Sequence, residues 1–237
     1  MEILAAHPAG LTLTQTADLA GLTRAGARRF LLTLVASGYA LQDGRRFTLS
    51  PRLLSVARTW LQGASLWSFA EPFMRRVSQQ LNESCSAAVL SGEDVVYVAR
   101  VPGRHILSVA LHVGTRLPAW CTSMGRVLLS DLPPPDLRAF LDRATIERRT
   151  EKSIADRPAL AARIALAADT GFALVDEELE LGLRSIAVPI RDRSRRIVAA
   201  INVSTQSSRF SPIEMEREIL PPLKAAAGSI EDFFVAQ

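Results

Sequence analysis

Apolar residues in the first fifty positions recur at helical intervals and then change to strict alternation. Ala17, Leu19 and Ala20 follow Thr14, whose side-chain oxygen is placed to cap a short helix. Gly21 and Leu22 predict a tight turn. Thr23 then caps a second helix, with Ala27, Phe30, Leu31 and Leu34 spaced three and four apart as its buried stripe. Two alternating runs, Tyr39–Gln42 and Arg45–Leu49, flank Asp43-Gly44 and read as a β-hairpin with Arg45 and Arg46 at its tip. Ahead of these, Met1–His7 reads as one or two helical turns stopped by Pro8-Ala9-Gly10, a first helix that is short for such a unit.

Ser50-Pro51 starts a further helix carrying Leu53, Leu54, Ala57, Trp60 and Leu61. Its apolar face either meets the same helix of a second subunit or packs within its own chain. Gln62-Gly63-Ala64-Ser65 marks a boundary, which divides the chain into residues 1–50, a linker helix 51–64, and residues 65–237. In the last part a helix over Trp67–Leu81 turns Phe69, Phe73, Met74, Val77 and Leu81 inward. Strand-like runs follow at Cys85–Leu90, Val95–Ala99 and Ile106–Leu111. Gly114–Ala119 reads as loop, and Thr122 caps a helix through Leu129. Asp136 caps another helix to Arg143, and Ile146–Ile154 is polar and expected at the surface. Asp156 caps a helix holding Leu160, Ile164, Leu166 and Ala167, closed by Gly171. Strands Ser185–Ile190 and Ile197–Val203 precede a last helix that starts at Ser211-Pro212 and is bent by Pro221-Pro222. The pattern predicts an α+β protein of two domains, the second an antiparallel sheet with flanking helices.

Composition bounds the chemistry. The 237 residues are 48% hydrophobic, with no run long enough to cross a bilayer, so a cytoplasmic protein is expected. Cys85 and Cys121 make neither a disulfide framework nor a metal quartet. The charge is uneven. Residues 1–60 carry seven arginines against Glu2, Asp18 and Asp43, so the whole formal excess of +4 falls there. A short helix, a glycine turn and a second helix with a basic, small-residue outer face present a recognition helix to a DNA major groove, and a hairpin behind it acts as a wing. Thr23, Arg24, Ala25 and Arg28 are placed to face bases, and Arg29, Arg45 and Arg46 to meet phosphates.

Catalytic motifs are missing: no GxSxG, Walker or GxGxxG segment occurs, and no HExxH or CxxC. His105, His112 and Cys121 could approach one another, but their spacing is not that of a zinc site, and neither metal nor cofactor is expected. Asp176-Glu177-Glu178 could supply a carboxylate or simply pair with Arg184. A pocket is the stronger reading of the polar residues. Ser123 and Gly125 sit at a helix start, Ser185 follows Gly182, and Asn202 and Ser204 share one strand face. Converging, they would floor a site for a small acid, with Trp120 and Cys121 as its apolar wall; separately, each would bond to nearby backbone.

Several stretches together resemble the IclR-type bacterial transcription regulators, in particular the branch that controls aromatic-acid breakdown. They are GLTRAGARRFLLTLVASGYA with DGRRFTLSPRLL (residues 21–54), ESCSAAVLSGEDVVYVARVP (83–102), VGTRLPAWCTSMGRVLL (113–129), and GFALVDEELELGLRSIAVPIRDR with AAINVS (171–204). The resemblance implies a winged helix-turn-helix, a linker helix, and an effector domain similar to the GAF fold. It also implies homodimers, often paired as tetramers, on double-stranded palindromic operators. The family's acid pocket would fall on the backbone of Ser123 and Met124, with Ser185, Asn202 and Ser204. Val175 stands where glyoxylate-responding relatives have an aspartate, and Asn202 where they have serine. Both departures favour a larger, partly apolar acid such as protocatechuate, 4-hydroxybenzoate or β-ketoadipate. The function expected is DNA-binding regulation of aromatic-acid catabolism genes. The alternative is an enzyme acting on an aromatic or dicarboxylic acid, with an incidental basic module.

Overall fold

The computed structural model describes residues 1–56, 65–104 and 111–235. The chain divides between Ala64 and Ser65 into two compact units. The first contains α1 (Glu2–Ala5), β1 (Leu11–Thr12), α2 (Leu13–Ala20), α3 (Arg24–Ala36), β2 (Ala40–Asp43) and β3 (Arg46–Leu49). Its sheet runs in the order β1-β3-β2, antiparallel throughout, with Leu11 opposite Phe47 and Ala40 opposite Leu49. Leu4, Leu11, Leu31 and Phe47 close the core beneath α3.

Three local readings are corrected here. The cap of α2 is Thr12, not Thr14: Thr12 accepts from the Gln15 amide at 3.3 Å, and the Gln15 side chain accepts from the Thr12 amide at 2.9 Å. Because Leu11 and Thr12 are held in the sheet as β1, the helix starts earlier than spacing alone suggests. Phe30 is not on the buried stripe but 64% exposed, since the core meets α3 along Ala27 and Leu31. The hairpin turn is Gly44-Arg45, with Asp43 and Arg46 already paired across it and Gly44 at φ +56°, a conformation only glycine adopts without strain. Thr23 caps α3 as expected, accepting from the Gly26 amide at 3.1 Å.

Residues 52–56 are helical, and Arg52 is pinned by the Ser37 carbonyl at 2.9 Å and the face of Tyr39. Ala57, Trp60 and Leu61 of the expected linker helix lie outside the described residues. The strand expected at Ile106–Leu111 does so too, apart from Leu111, and so does His105.

The second unit holds α4 (Ser65–Leu81), β4 (Ser84–Ser91), β5 (Asp94–Val101), β6 (Arg116–Pro118), α5 (Ser123–Leu129), α6 (Pro134–Arg143), α7 (Arg157–Thr170), β7 (Ala173–Asp176), β8 (Leu183–Arg191), β9 (Ile197–Gln206) and α8 (Leu220–Val235). Its sheet is antiparallel in the order β6-β5-β4-β9-β8-β7. Side chains alternate between the two faces. On one, Val188, Ile201 and Val203 are buried, and α4 and α8 pack against the sheet with Met74, Val77, Leu223 and Ile230. On the other, Ala88, Ala187 and Ala200 let α5 approach closely. Gly125 is required there, because a Cβ would lie 2.0 Å from the Ala119 carbonyl oxygen.

Several expectations for this unit are revised. Phe69 is 38% exposed; α4 instead buries Leu66, Trp67 and Ala70 beside Met74 and Val77. The segment read as loop contains the edge strand β6, with Leu117 opposite Val95. Pro133 precedes α6 and Asp136 sits in its first turn, so proline rather than aspartate opens that helix. Ile146–Ile154 is anchored by Ser153, buried because its hydroxyl donates to the Glu178 carbonyl at 2.7 Å. Leu166 faces solvent. A π turn at Met215–Ile219 comes immediately before Leu220-Pro221-Pro222, where the two prolines supply no backbone donors.

Candidate functional site

Each unit presents one candidate site. In the first, Thr23 uses its hydroxyl as the α3 cap, and Arg24, Ala25, Arg28 and Arg29 are exposed on the first two turns. A groove between α3 and the hairpin brings Arg28 together with Arg45, Thr14 and Gln42, and excludes Arg24, Ala25 and Arg29. Arg24, Arg28, Arg29 and Arg45 form no salt bridge among the described residues. Arg46 differs from them. It belongs to β3, and its guanidinium donates to the Gly10 carbonyl at 2.8 Å, so part of its donor set is engaged within the unit. Gln42 was not singled out from the sequence, and Thr14 was read there only as a helix cap; neither carries a signal for this groove.

The second site is a cavity between the start of α5 and the strip of polar residues on the same sheet face. Register explains the convergence. Ser185 lies opposite Ser204 and Val175, and Ser86 opposite Asn202, so these side chains project to one side. Cys121, Ser123, Val175, Ser185, Asn202 and Ser204 all line the cavity. Met124 does not: its side chain is buried in the core, which leaves only its backbone near the α5 start. Trp120 also packs into the core. Thr122, the cap of α5, also reaches the cavity, and Tyr97, Leu111, Leu117, Leu179 and Leu183 complete the wall. Their strand and loop positions gave no chemical signal in the sequence.

The cavity is small, about 20 Å³, room for about one water. Its polar groups are not mutually satisfied. Asn202 donates to the Ser204 hydroxyl at 3.0 Å, but Asn202 Oδ1 and Ser123 Oγ have no hydrogen-bond partner although both are sealed from solvent. Rotating the amide would let Ser204 donate to Oδ1 and would turn the unpartnered NH₂ into the cavity, so either orientation leaves one amide group open. Such orphans cost roughly 1–3 kcal/mol each. Burial pushes the Cys121 thiol and the Tyr97 phenol up to about 12, so both are neutral at physiological pH. Among the described residues no carboxylate lines the cavity, and its hydroxyl and amide groups can donate to an anionic or strongly accepting ligand.

The carboxylates at 176–178 have structural partners. Glu178 receives two bonds from Arg126, at 2.8 and 2.5 Å, and both residues are buried. Arg126 also donates to the Trp120 carbonyl at 3.2 Å. This pair ties α5 to the loop carrying Leu179. Asp176 pairs with Arg184 at 2.6 Å, and Glu177 with Lys152. Among the described residues no cluster of histidine, cysteine or carboxylate could hold a metal, and no helix is long and apolar enough to cross a membrane.

Comparison with known proteins gives matches over both units. Residues 1–44 match the IclR helix-turn-helix domain, and residues 58–232 match the bacterial transcriptional regulator IclR C-terminal family. The Pca regulon regulatory protein of Pseudomonas putida is 43% identical over 92% of this chain and 75% of its own length. A crystal structure of a transcriptional regulator from Rhodococcus sp. RHA1 is 44% identical, covers 96% of this chain and 91% of that one, and has a TM-score of 0.77. An IclR homolog from Microbacterium hydrocarbonoxydans, crystallised with 4-hydroxybenzoate, is 25% identical over 96% of this chain and 92% of its own, with a TM-score of 0.79.

Proposed function

The chain belongs to the IclR family of bacterial transcriptional regulators, and we propose that it controls genes of aromatic-acid catabolism in response to a small organic acid. The observation that carries this reading is the pair of sealed, unpartnered polar atoms, Ser123 Oγ and Asn202 Oδ1, on one cavity. Sealed polar groups of this kind are completed by an ordered water or by a ligand, and a ligand that displaces the water must supply their partners. The regulator of the Pca regulon at 43% identity and the relative crystallised with 4-hydroxybenzoate support the ligand class. Candidate effectors are protocatechuate, 4-hydroxybenzoate and β-ketoadipate.

In this reading residues 1–50 grip operator DNA, with Thr23, Arg24, Ala25 and Arg28 at base edges and Arg29, Arg45 and Arg46 on phosphates. Residues 51–64 link them to the acid-binding residues 65–237. A homodimer, or a pair of dimers, matches the two-fold symmetry of a palindromic operator. The acid sits among Ser123, Ser185, Asn202 and Ser204 and against Cys121 and Val175, with the amides of Ser123 and Met124 at the helix start. A ring-sized effector binds by pushing outward the leucine side chains of the cavity wall. To switch transcription it must favour one arrangement of the DNA-binding units over another, since equal affinity for both shifts nothing.

Calorimetric titration of full-length protein with the three acids, with and without its own upstream duplex, tests the reading. One acid binds, and Ser123→Ala weakens it about tenfold, the equivalent of one lost hydrogen bond. A folded protein that binds none of them, and ignores its duplex at low salt, overturns it.

A further inference from the structure

Arginines that lose contact with water in the second unit are matched by carboxylates, with one exception. Arg126 is paired with Glu178, Arg184 with Asp176, and half-buried Arg191 with Asp131. Arg100 is likewise half-buried, yet it has no acidic partner among the described residues. Among the described residues its guanidinium has two long contacts, to Ser84 Oγ at 3.3 Å and Ser86 Oγ at 3.4 Å. Those two serines lie directly opposite Ser204 and Asn202 in the β4–β9 ladder and share their sheet face, next to the cavity that Asn202 and Ser204 line. Opposed residues in such a ladder have Cβ atoms about 5 Å apart. An uncompensated cation therefore reaches over β4, the strand that separates Arg100 on β5 from Asn202 on β9. Burial also lowers the Arg100 pKa, the direction expected when a charge is desolvated without a counter-ion.

Building on the effector reading above, we propose that Arg100 determines specificity: it receives a second anionic group of the effector, so the pocket selects a dicarboxylate over a monocarboxylate. One carboxylate meets Ser123 and Asn202, and the other forms the forked ion pair that Arg100 lacks. Among the described residues the cavity lining is uncharged, so the distant end of the ligand is where a full charge is recognised.

The test is calorimetric titration of the full-length protein, as wild type, Arg100→Gln, Arg100→Lys and Asn202→Leu. The probes are β-ketoadipate and hexanedioate, against hexanoate and 4-hydroxybenzoate. At least one dicarboxylate binds the wild type more tightly than both monoacids. Arg100→Gln weakens that dicarboxylate more than tenfold and the monoacids less than twofold, and Arg100→Lys recovers part of the loss. Thermal unfolding of Arg100→Gln, unchanged or raised, excludes misfolding as the cause. If Asn202→Leu weakens every acid while Arg100→Gln spares the dicarboxylate, the effector reading stands and this proposal is overturned. The same holds if Arg100→Gln weakens both classes equally, or if the monoacids bind as tightly as the dicarboxylates. If no acid binds the wild type, both fall.

Discussion

Among the described residues, Arg24, Arg28, Arg29 and Arg45 stand in solvent without an ion pair, while Ser123 Oγ and Asn202 Oδ1 are sealed inside the second unit without a hydrogen-bond partner. The first arrangement costs the fold almost nothing, because water solvates each guanidinium. The second is a standing cost, held in place by the packing around it. Both are unfinished interactions, but they differ in where the partner's contribution appears. Completing the first changes the salt dependence of DNA binding. Completing the second stabilises the unit that binds.

The largest expected effect tests the packing that holds the second kind in place. Gly125→Ala forces a Cβ against the Ala119 carbonyl, and differential scanning calorimetry is expected to show the second unit losing more than about 3 kcal/mol or failing to fold. Next is Glu178→Gln, which leaves the buried Arg126 guanidinium uncompensated and costs about 3–5 kcal/mol in denaturant unfolding. An Arg126→Met, Glu178→Leu double variant should recover most of that loss. On the DNA side, Arg45→Ala lowers operator affinity for all sequences and reduces the slope of log K against log salt by about 1. Arg28→Ala instead relaxes base preference by about 1–3 kcal/mol at the positions it reads.

The smallest effect concerns acid. Glu177 stands at φ +55°, and its carboxyl is held down to about 2 chiefly by the hydrogen bond from Lys152, with further bonds from the Gly182 amide and Ser207. With an unfolded pKa near the ordinary value of about 4.3, its contribution is complete above that pH and is lost as pH falls toward 2. Unfolding followed between pH 5 and 2 should show a slope that Glu177→Gln flattens; an identical slope in the variant would remove Glu177 from the acid response.

What the sequence made legible follows the range of the interactions. Thr23, Thr122 and Asp156 were readable as caps because each acts three residues away along the chain. Strand alternation put Asn202 and Ser204 on one face, and hence in one cavity. Two- and three-residue strands such as β1 and β6 carry too few positions for a pattern; only pairing with β3 and β5 defines them. The Arg126–Glu178 pair spans 52 positions, and Arg46 reaches Gly10 over 36, so neither left a local signal. Arg100 is the clearest case. In sequence it is one arginine among many, and only the register β5-β4-β9 puts it on the sheet face of Asn202, with no carboxylate paired to it among the described residues. The exposure of Phe30, at the right spacing for the core, shows the converse: helical period locates a stripe, but the packing partner decides which of its edges is covered.

The central claim, that occupation of the Ser123–Asn202 cavity is communicated to DNA, is tested most directly by fluorescence anisotropy of a labelled operator duplex. Full-length wild type and Asn202→Leu are titrated onto it at fixed salt, with and without saturating effector acid. The account predicts a several-fold change in operator affinity for the wild type and none for the variant, with equal affinities when the acid is left out. An acid-induced change of the same size in both proteins would contradict it.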